Sequence, residues 1–268
     1  MYILYLVQVN GNLFYLEDNG TSILIDVGVS FKSVCLALDS IGKNINDIDA
    51  ILITHEHSDH IKGLPLICKN HNIPVYTCQK TKEYLDEYLI GKKTTGIIHS
   101  IEYDQMFKIN NLEITPFQTS HDAIMPCGFY ISNTLQSLAF ATDLGFVSDN
   151  ILNYLNKADY IVLESNYDNI MLEYGKYPFT IKRRIASDMG HLSNKDTACI
   201  LTSILSINPN KKFLLSHLSE NNNTMDIACD TITCHLKENG LDKFDISFAS
   251  KDLSCEGYLI WLVFKSFV

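Results

Sequence analysis

The chemistry of this chain is concentrated in one short segment, Thr54-His55-Glu56-His57-Ser58-Asp59-His60. It follows the apolar run Ala50-Ile51-Leu52-Ile53, which reads as a buried strand. Neutral imidazoles and a carboxylate are natural ligands of zinc and its neighbours. In an extended loop His55 and His57 share a side, where they can grip one ion. Asp59 and His60 project from the next turn and can grip a second. The plain alternative is a solvated polar loop that happens to be rich in histidine. The scarcity of histidine elsewhere, with nine in 268 residues, weighs against it.

His-x-His-x-Asp-His after a strand resembles the signature of the metallo-β-lactamase-fold hydrolases. It is not the His-Glu-x-x-His pattern of the zincins, because Asp59 stands where the second His would be. The resemblance implies three further ligands, each after an apolar run. His121 in Thr119-Ser120-His121-Asp122 would complete a triad with His55 and His57 at the first metal. Asp143 in Ala141-Thr142-Asp143-Leu144-Gly145 would bridge both ions. His217 in Leu215-Ser216-His217-Leu218 would complete the second metal with Asp59 and His60. Taken singly, a histidine near a strand end is usually just hydrogen-bonded; the ordered set carries the inference. Asp26 matches an early aspartate that holds the histidine loop from behind. His191, in Gly190-His191-Leu192-Ser193-Asn194, resembles the non-ligand histidine of the phosphodiesterase branch, a proton donor. Asp59 and His191 are thus the residues assigned to catalysis.

The intervals narrow the branch. His121 and Asp143 are too close for the long tRNA-gripping arm of ordinary RNase Z. The stretch from Asp143 to His217 leaves no room for an inserted β-CASP domain. The segments around His121, Asp143, Glu164, His191 and His217 resemble the YycJ (WalJ) subgroup, which is associated with exonuclease activity on DNA. One departure is the opening loop, reduced here to Gln8-Val9-Asn10-Gly11-Asn12. The resemblance implies a binuclear phosphodiesterase that uses a water held between two ions, its pKa lowered toward ~7. Zinc is the expected metal and manganese the alternative. The competing readings are a hydrolase of a small substrate (a cyclic nucleotide, thioester or lactone) and an inactive metal-binding regulatory protein.

These ligands need a frame. With 268 residues at 46% hydrophobic content, the chain can bury a full core. No stretch approaches a membrane span, and the start reads as a first strand rather than a signal peptide. The eight cysteines are scattered without a Cys-x-x-Cys pair, which suits a reduced, cytoplasmic protein. A net charge of −10 argues against a general nucleic-acid binder, although Lys176 to Arg184 is locally basic and suited to phosphates; the plain alternative for that segment is an ordinary solvated helix start. DNA, ahead of RNA, is the expected partner as substrate; no membrane is expected, and oligomeric state is open.

The pattern predicts strands over residues 1–30 with a hairpin at Asp18-Asn19-Gly20, and a helix over 30–42 closed by Gly42. It then predicts a strand over 49–54, a helix over 60–71, a strand at 75–78 and a helix over 80–89. Several strands are expected between 97 and 142. Helices near 148–157, 194–207 and 225–239 alternate with strands at 160–164 and 212–216, and a strand pair lies within 246–268. The expected fold is a single α/β (α+β) domain over 1–268, an αββα sandwich of two mixed sheets with helices outside.

Overall fold

The computed structural model describes residues 3–6, 11–249 and 260–263, with side chains over 11–249. Of the short opening loop Gln8-Val9-Asn10-Gly11-Asn12, residues 8–10 lie outside the described residues. In chain order the elements are β1 (Ile3–Leu6), β2 (Leu13–Asp18), β3 (Thr21–Val27), α1 (Phe31–Ser40), β4 (Ala50–Leu52), α2 (Ser58–Ile61) and α3 (Leu64–Asn70). There follow β5 (Val75–Cys78), α4 (Gln79–Gly91), β6 (Ile98–Ile101), β7 (Phe107–Ile109), β8 (Leu112–Gln118), β9 (Cys127–Ser132), β10 (Ser137–Ala141), α5 (Asp149–Lys157) and β11 (Tyr160–Glu164). The remainder is α6 (Asn169–Tyr174), α7 (Phe179–Ile185), α8 (Asn194–Ile207), β12 (Lys212–Ser216), α9 (Met225–Glu238), β13 (Asp245–Phe248) and β14 (Ile260–Val263). The strands form two seven-stranded mixed sheets, in the orders β14-β1-β2-β3-β4-β5-β6 and β13-β12-β11-β10-β9-β8-β7. The chain divides into two compact units: Met1–Pro116 with Ala123–Cys127 and Ser250–Val268, and Phe117–Asp122 with Gly128–Ala249.

In the first unit β3, β4, β5 and β6 run parallel, and β1 and β2 are antiparallel. Every residue of β3 is buried, as expected of a strand covered on both faces. Its hairpin to β2 turns at Asn19 (φ 48°) and Gly20 (φ 84°), the two consecutive positive φ values of a tight hairpin turn. Leu24, Ile51, Ile53, Leu64, Ile67 and Leu85 join strands and helices in one apolar core.

In the second unit β10, β11, β12 and β13 are parallel, and β10 and β11 are buried throughout. Ala139, Ile161, Leu163, Leu201, Phe213 and Leu215 build its core, with α5, α8 and α9 packed on the strands. At ~25 cal/mol per Å² of apolar surface removed from water, each such large side chain stabilises by roughly 1.5–3 kcal/mol. The helices start where short polar side chains can cap them. Ser148 accepts from Ile151 N, Thr224 accepts from Ile227 N, and Ser193 forms a capping box with Asp196.

Three expectations are corrected. The helix expected over 60–71 is two helices, interrupted at Lys62 and Gly63, with Pro65 in the first turn of the second. Two strands do lie in the closing segment, but they do not pair with each other: β13 pairs β12, and β14 pairs β1. Helix α6 was not expected; α7 falls where a solvated helix start was only one of two readings, and it buries no residue, so it lacks the apolar period that would reveal it. No described helix is long and apolar enough to cross a membrane.

Parallel strands deliver the candidate residues. Asp26 is on β3, His55 follows β4, Asp143 follows β10, Glu164 ends β11 and His217 follows β12. Loops beyond the carboxyl ends of parallel strands are where such sheets place their sites. Asp26, Asp143 and His217 hold left-handed backbones, with φ of 58°, 59° and 59°. For non-glycine residues that costs on the order of 1–3 kcal/mol each, and persists only where the surroundings enforce it.

Candidate metal centre

In the first unit the histidine loop is anchored from behind. Asp26, fully buried, accepts from Thr54 N at 2.9 Å and Thr54 Oγ1 at 2.8 Å. Its Oδ2 also lies 2.8 Å from His60 Nδ1. Burial raises the Asp26 pKa, and His60 together with the Thr54 donors works against that rise. Thr54 Oγ1 spends its proton on Asp26, so it accepts from His55 Nδ1, 3.0 Å away. His55 and His60 therefore each carry the proton on Nδ1, and their Nε2 lone pairs are left to act as ligands. Nε2 of His55 lies 3.1 Å from Nδ1 of His57, and Nε2 of His60 lies 3.7 Å from Asp59 Oδ2. Asn12 Nδ2 reaches His60 Nε2 at 2.8 Å. The loop is pressed close to the strand that supports it. A Cβ on Gly28 would stand 1.5 Å from the Asp59 carbonyl oxygen, so only glycine fits there.

In the second unit Asp143 is the centre of a ring of imidazoles. Its Oδ1 lies 3.7 Å from His121 Nε2, 3.5 Å from His217 Nε2 and 3.9 Å from His191 Nδ1. His121 is buried, and its Nδ1 donates to the Gly190 carbonyl at 3.1 Å. Burial lowers the His121 pKa, which favours the neutral ring a metal needs.

Beneath this ring sits Glu164, which sequence reasoning did not assign to the site. It is fully buried. Oε2 accepts from His191 Nδ1 at 3.0 Å and His217 Nδ1 at 3.2 Å. Oε1 accepts from Leu144 N at 2.5 Å and Leu192 N at 3.1 Å. One carboxylate thus fixes two rings and the backbone beside Asp143. Burial pushes its pKa up, but the two histidines prevail and hold it below its ordinary value. The reverse side of this pairing appears at His191. Burial pulls its pKa down, yet the Glu164 carboxylate outweighs burial and raises it to about 8. The signal for Glu164 was in the sequence: an acidic residue closing the apolar run Tyr160-Ile161-Val162-Leu163, the pattern that marked Asp143 and His217.

The structure thus groups the candidates into two sets: His55, His57, Asp59 and His60 over Asp26, and His121, Asp143, His191 and His217 over Glu164. Both are nitrogen and oxygen donor sets of borderline hardness. Nδ1 of His55, His60, His121 and His217 is engaged by an oxygen, which turns Nε2 outward as in metal-ligating histidines. The residues fit divalent ions such as zinc or manganese.

A family model described as a β-lactamase superfamily domain matches residues 21–217. The chain belongs to this superfamily. Within the superfamily it is 37% identical over 230 residues to "Exodeoxyribonuclease YycJ" of Bacillus anthracis, covering 86% of each chain. It is 36% identical over 231 residues to "Exodeoxyribonuclease WalJ" of Streptococcus pneumoniae, covering 85% of each. The metallo-β-lactamase fold protein YhfI of Bacillus subtilis aligns with a TM-score of 0.68 over 97% of this chain and 99% of its own, at 16% identity. That likeness shows the fold. The superfamily member described here is a metallo-β-lactamase-fold hydrolase, and its His and Asp clusters suit divalent metal ions.

Proposed function

We propose that the chain acts as one binuclear, metal-dependent phosphodiesterase domain, and that its substrate is DNA degraded from an end. His55, His57 and His121 would hold one ion, Asp59, His60 and His217 the other, and Asp143 would serve both. Zinc is the proposed metal, because the set is rich in imidazole. When bound, the two ions supply an activated water and charge stabilisation at phosphorus. The chain's own residues do the rest. Asp26 holds the His60 ring, and Glu164 holds the His217 ring. His191 is gripped at Nδ1 by Glu164, so its Nε2 proton is available to the leaving oxygen. The observation that carries the reading is this Glu164–His191 pair: a carboxylate that keeps a histidine charged near neutral pH makes a general acid. An esterase acting on an activated acyl group has less use for one. The two exodeoxyribonucleases similar over most of the chain support DNA as the substrate class. The cysteines described are all free, which supports a reducing, cytoplasmic setting.

The test compares four substrates with the metal-loaded protein: end-labelled linear duplex DNA, bis(p-nitrophenyl) phosphate, a thioester and a β-lactam. Phosphodiester cleavage with nucleotide release from DNA ends is expected. Turnover of the thioester or the lactam without phosphodiesterase activity overturns the reading.

A further inference from the structure

The chain has only two arginines, and they are neighbours: Arg183 and Arg184. With Lys182 they form its only run of three consecutive cations, in a protein whose net charge is −10. All three lie in the last turn of α7, which buries no residue. A helix held by no apolar face of its own, carrying all the chain's guanidinium groups, has a reason to exist other than packing.

The apolar residues around it are exposed rather than hidden. Phe179 is 73% exposed and Tyr174 79% exposed. The Arg183 guanidinium lies over the Phe179 ring, 5.9 Å from its centroid. Such a pair is a cation–π platform facing solvent. Between α6 and α7 is a cleft of about 360 Å³, lined in part by Tyr167, Leu172, Phe179, Lys182 and Arg183. Arg184 is bound instead to Asp122, with Nη2 donating to Oδ1 at 2.9 Å. That pair ties α7 to the residue next to His121. At the same carboxyl-terminal end, His191 N donates to the Ile185 carbonyl at 2.9 Å. The helix is therefore hydrogen-bonded directly to the segment that carries the proposed general acid.

We propose that α6 and α7 seat single-stranded DNA: Phe179, backed by Arg183, stacks on a base, while Arg183, Lys182 and Lys176 meet the flanking phosphates. The proposal rests on the phosphodiesterase reading and adds the surface that delivers its substrate. Charge complementarity selects the occupant. A polyanion is drawn to the one cationic run of an acidic protein. Base-on-aromatic stacking beside a guanidinium requires unpaired bases, and it tolerates any sequence, as an exonuclease needs. Arginine suits this place better than lysine, because its plane both stacks on the ring and pairs with phosphate.

The experiment uses the metal-loaded full chain and a 20-nucleotide single strand. Hydrolysis of this strand and of bis(p-nitrophenyl) phosphate by the parent protein is measured first. Phe179→Ala is expected to raise KM for the strand about tenfold, and Phe179→Tyr to restore it. Arg183→Ala is expected to raise KM and to flatten its dependence on log salt by about 0.7. Phe179 and Arg183 are exposed, so melting curves should match the parent. Unchanged KM in Phe179→Ala, or an unchanged salt slope in Arg183→Ala, overturns the surface while leaving the phosphodiesterase reading intact. A parent protein that hydrolyses neither substrate overturns both. Sedimentation showing a dimer that Phe179→Ala splits assigns the face to a second copy of the chain, and also overturns the proposal.

Discussion

A single buried carboxylate does two tasks in the second unit. Glu164 orients the His217 ring and sustains the charge on His191. The two tasks separate by experiment. His191→Ala should keep both metals and lose roughly 10²–10⁴ in kcat on DNA, the usual worth of a placed general acid. On bis(p-nitrophenyl) phosphate the loss should be far smaller, because p-nitrophenolate departs without a proton. An equal loss on both substrates would leave His191 a binding role only. Glu164 has its own signature in the metal-free protein. The His191 pKa, about 8 when folded, stands above the ordinary 6.5. A raised pKa stabilises the fold where the ring is charged. That contribution is complete below about pH 6.5 and fades as pH rises through about 8, amounting to roughly 2 kcal/mol. Denaturant titrations of metal-free protein at pH 6 and pH 9 should show this fall. In Glu164→Gln the fall should vanish, and the His191 resonance in an NMR titration should move to lower pH. A His191 midpoint unchanged by Glu164→Gln contradicts the pairing.

At the level of elements, the site depends on strand ends that hold the backbone in costly shapes. Gly28 lets the histidine loop approach β3 so closely that any side chain collides with the Asp59 carbonyl. Gly28→Ala should therefore push the loop away, lowering both the melting temperature and the metal content. Ser193→Ala is the contrast: it removes the cap of α8 and should cost about 1 kcal/mol, measured by denaturant titration, with metal content unchanged. Equal metal loss in both variants would mean that the first effect is general instability. Such elements also show what a sequence can reveal. His55, Asp143 and His217 were legible because each follows an apolar strand, and strand ends are short-range patterns. Glu164 closes an apolar strand in the same way, but that pattern alone does not reveal that it braces two rings. Its role lies in two long-range contacts, to residues 27 and 53 positions away. The break between α2 and α3 was readable in Gly63 and Pro65. Helix α7 was not, because a helix that buries nothing imposes no apolar period. Nor was the pairing of β14 with β1, a choice of partner that spans nearly the whole chain.

For the whole molecule the decisive quantity is how many ions the chain holds and what they do for its stability. The seven proposed ligands, three for each ion and Asp143 for both, predict two divalent ions per chain, measurable by elemental analysis after dialysis. A ligand that binds only the folded state stabilises it by about 2.7 kcal/mol at a free concentration one hundred times Kd. For a chain of this size each kcal/mol moves the melting temperature by roughly 2–4 °C. Loading both ions should then raise it by roughly 10–20 °C, and a chelator should reverse the rise. Asp143 decides whether the ions are coupled. As the ligand proposed for both, it should cost affinity at each when replaced, so Asp143→Ala should lose most of the metal-induced shift and the activity with it. Replacing Asp26, which holds His60 directly and His55 through Thr54, should weaken metal binding by 10–100-fold at both ions. One ion per chain, together with an Asp143→Ala variant that binds metal like its parent, would rule out a binuclear centre in this protein.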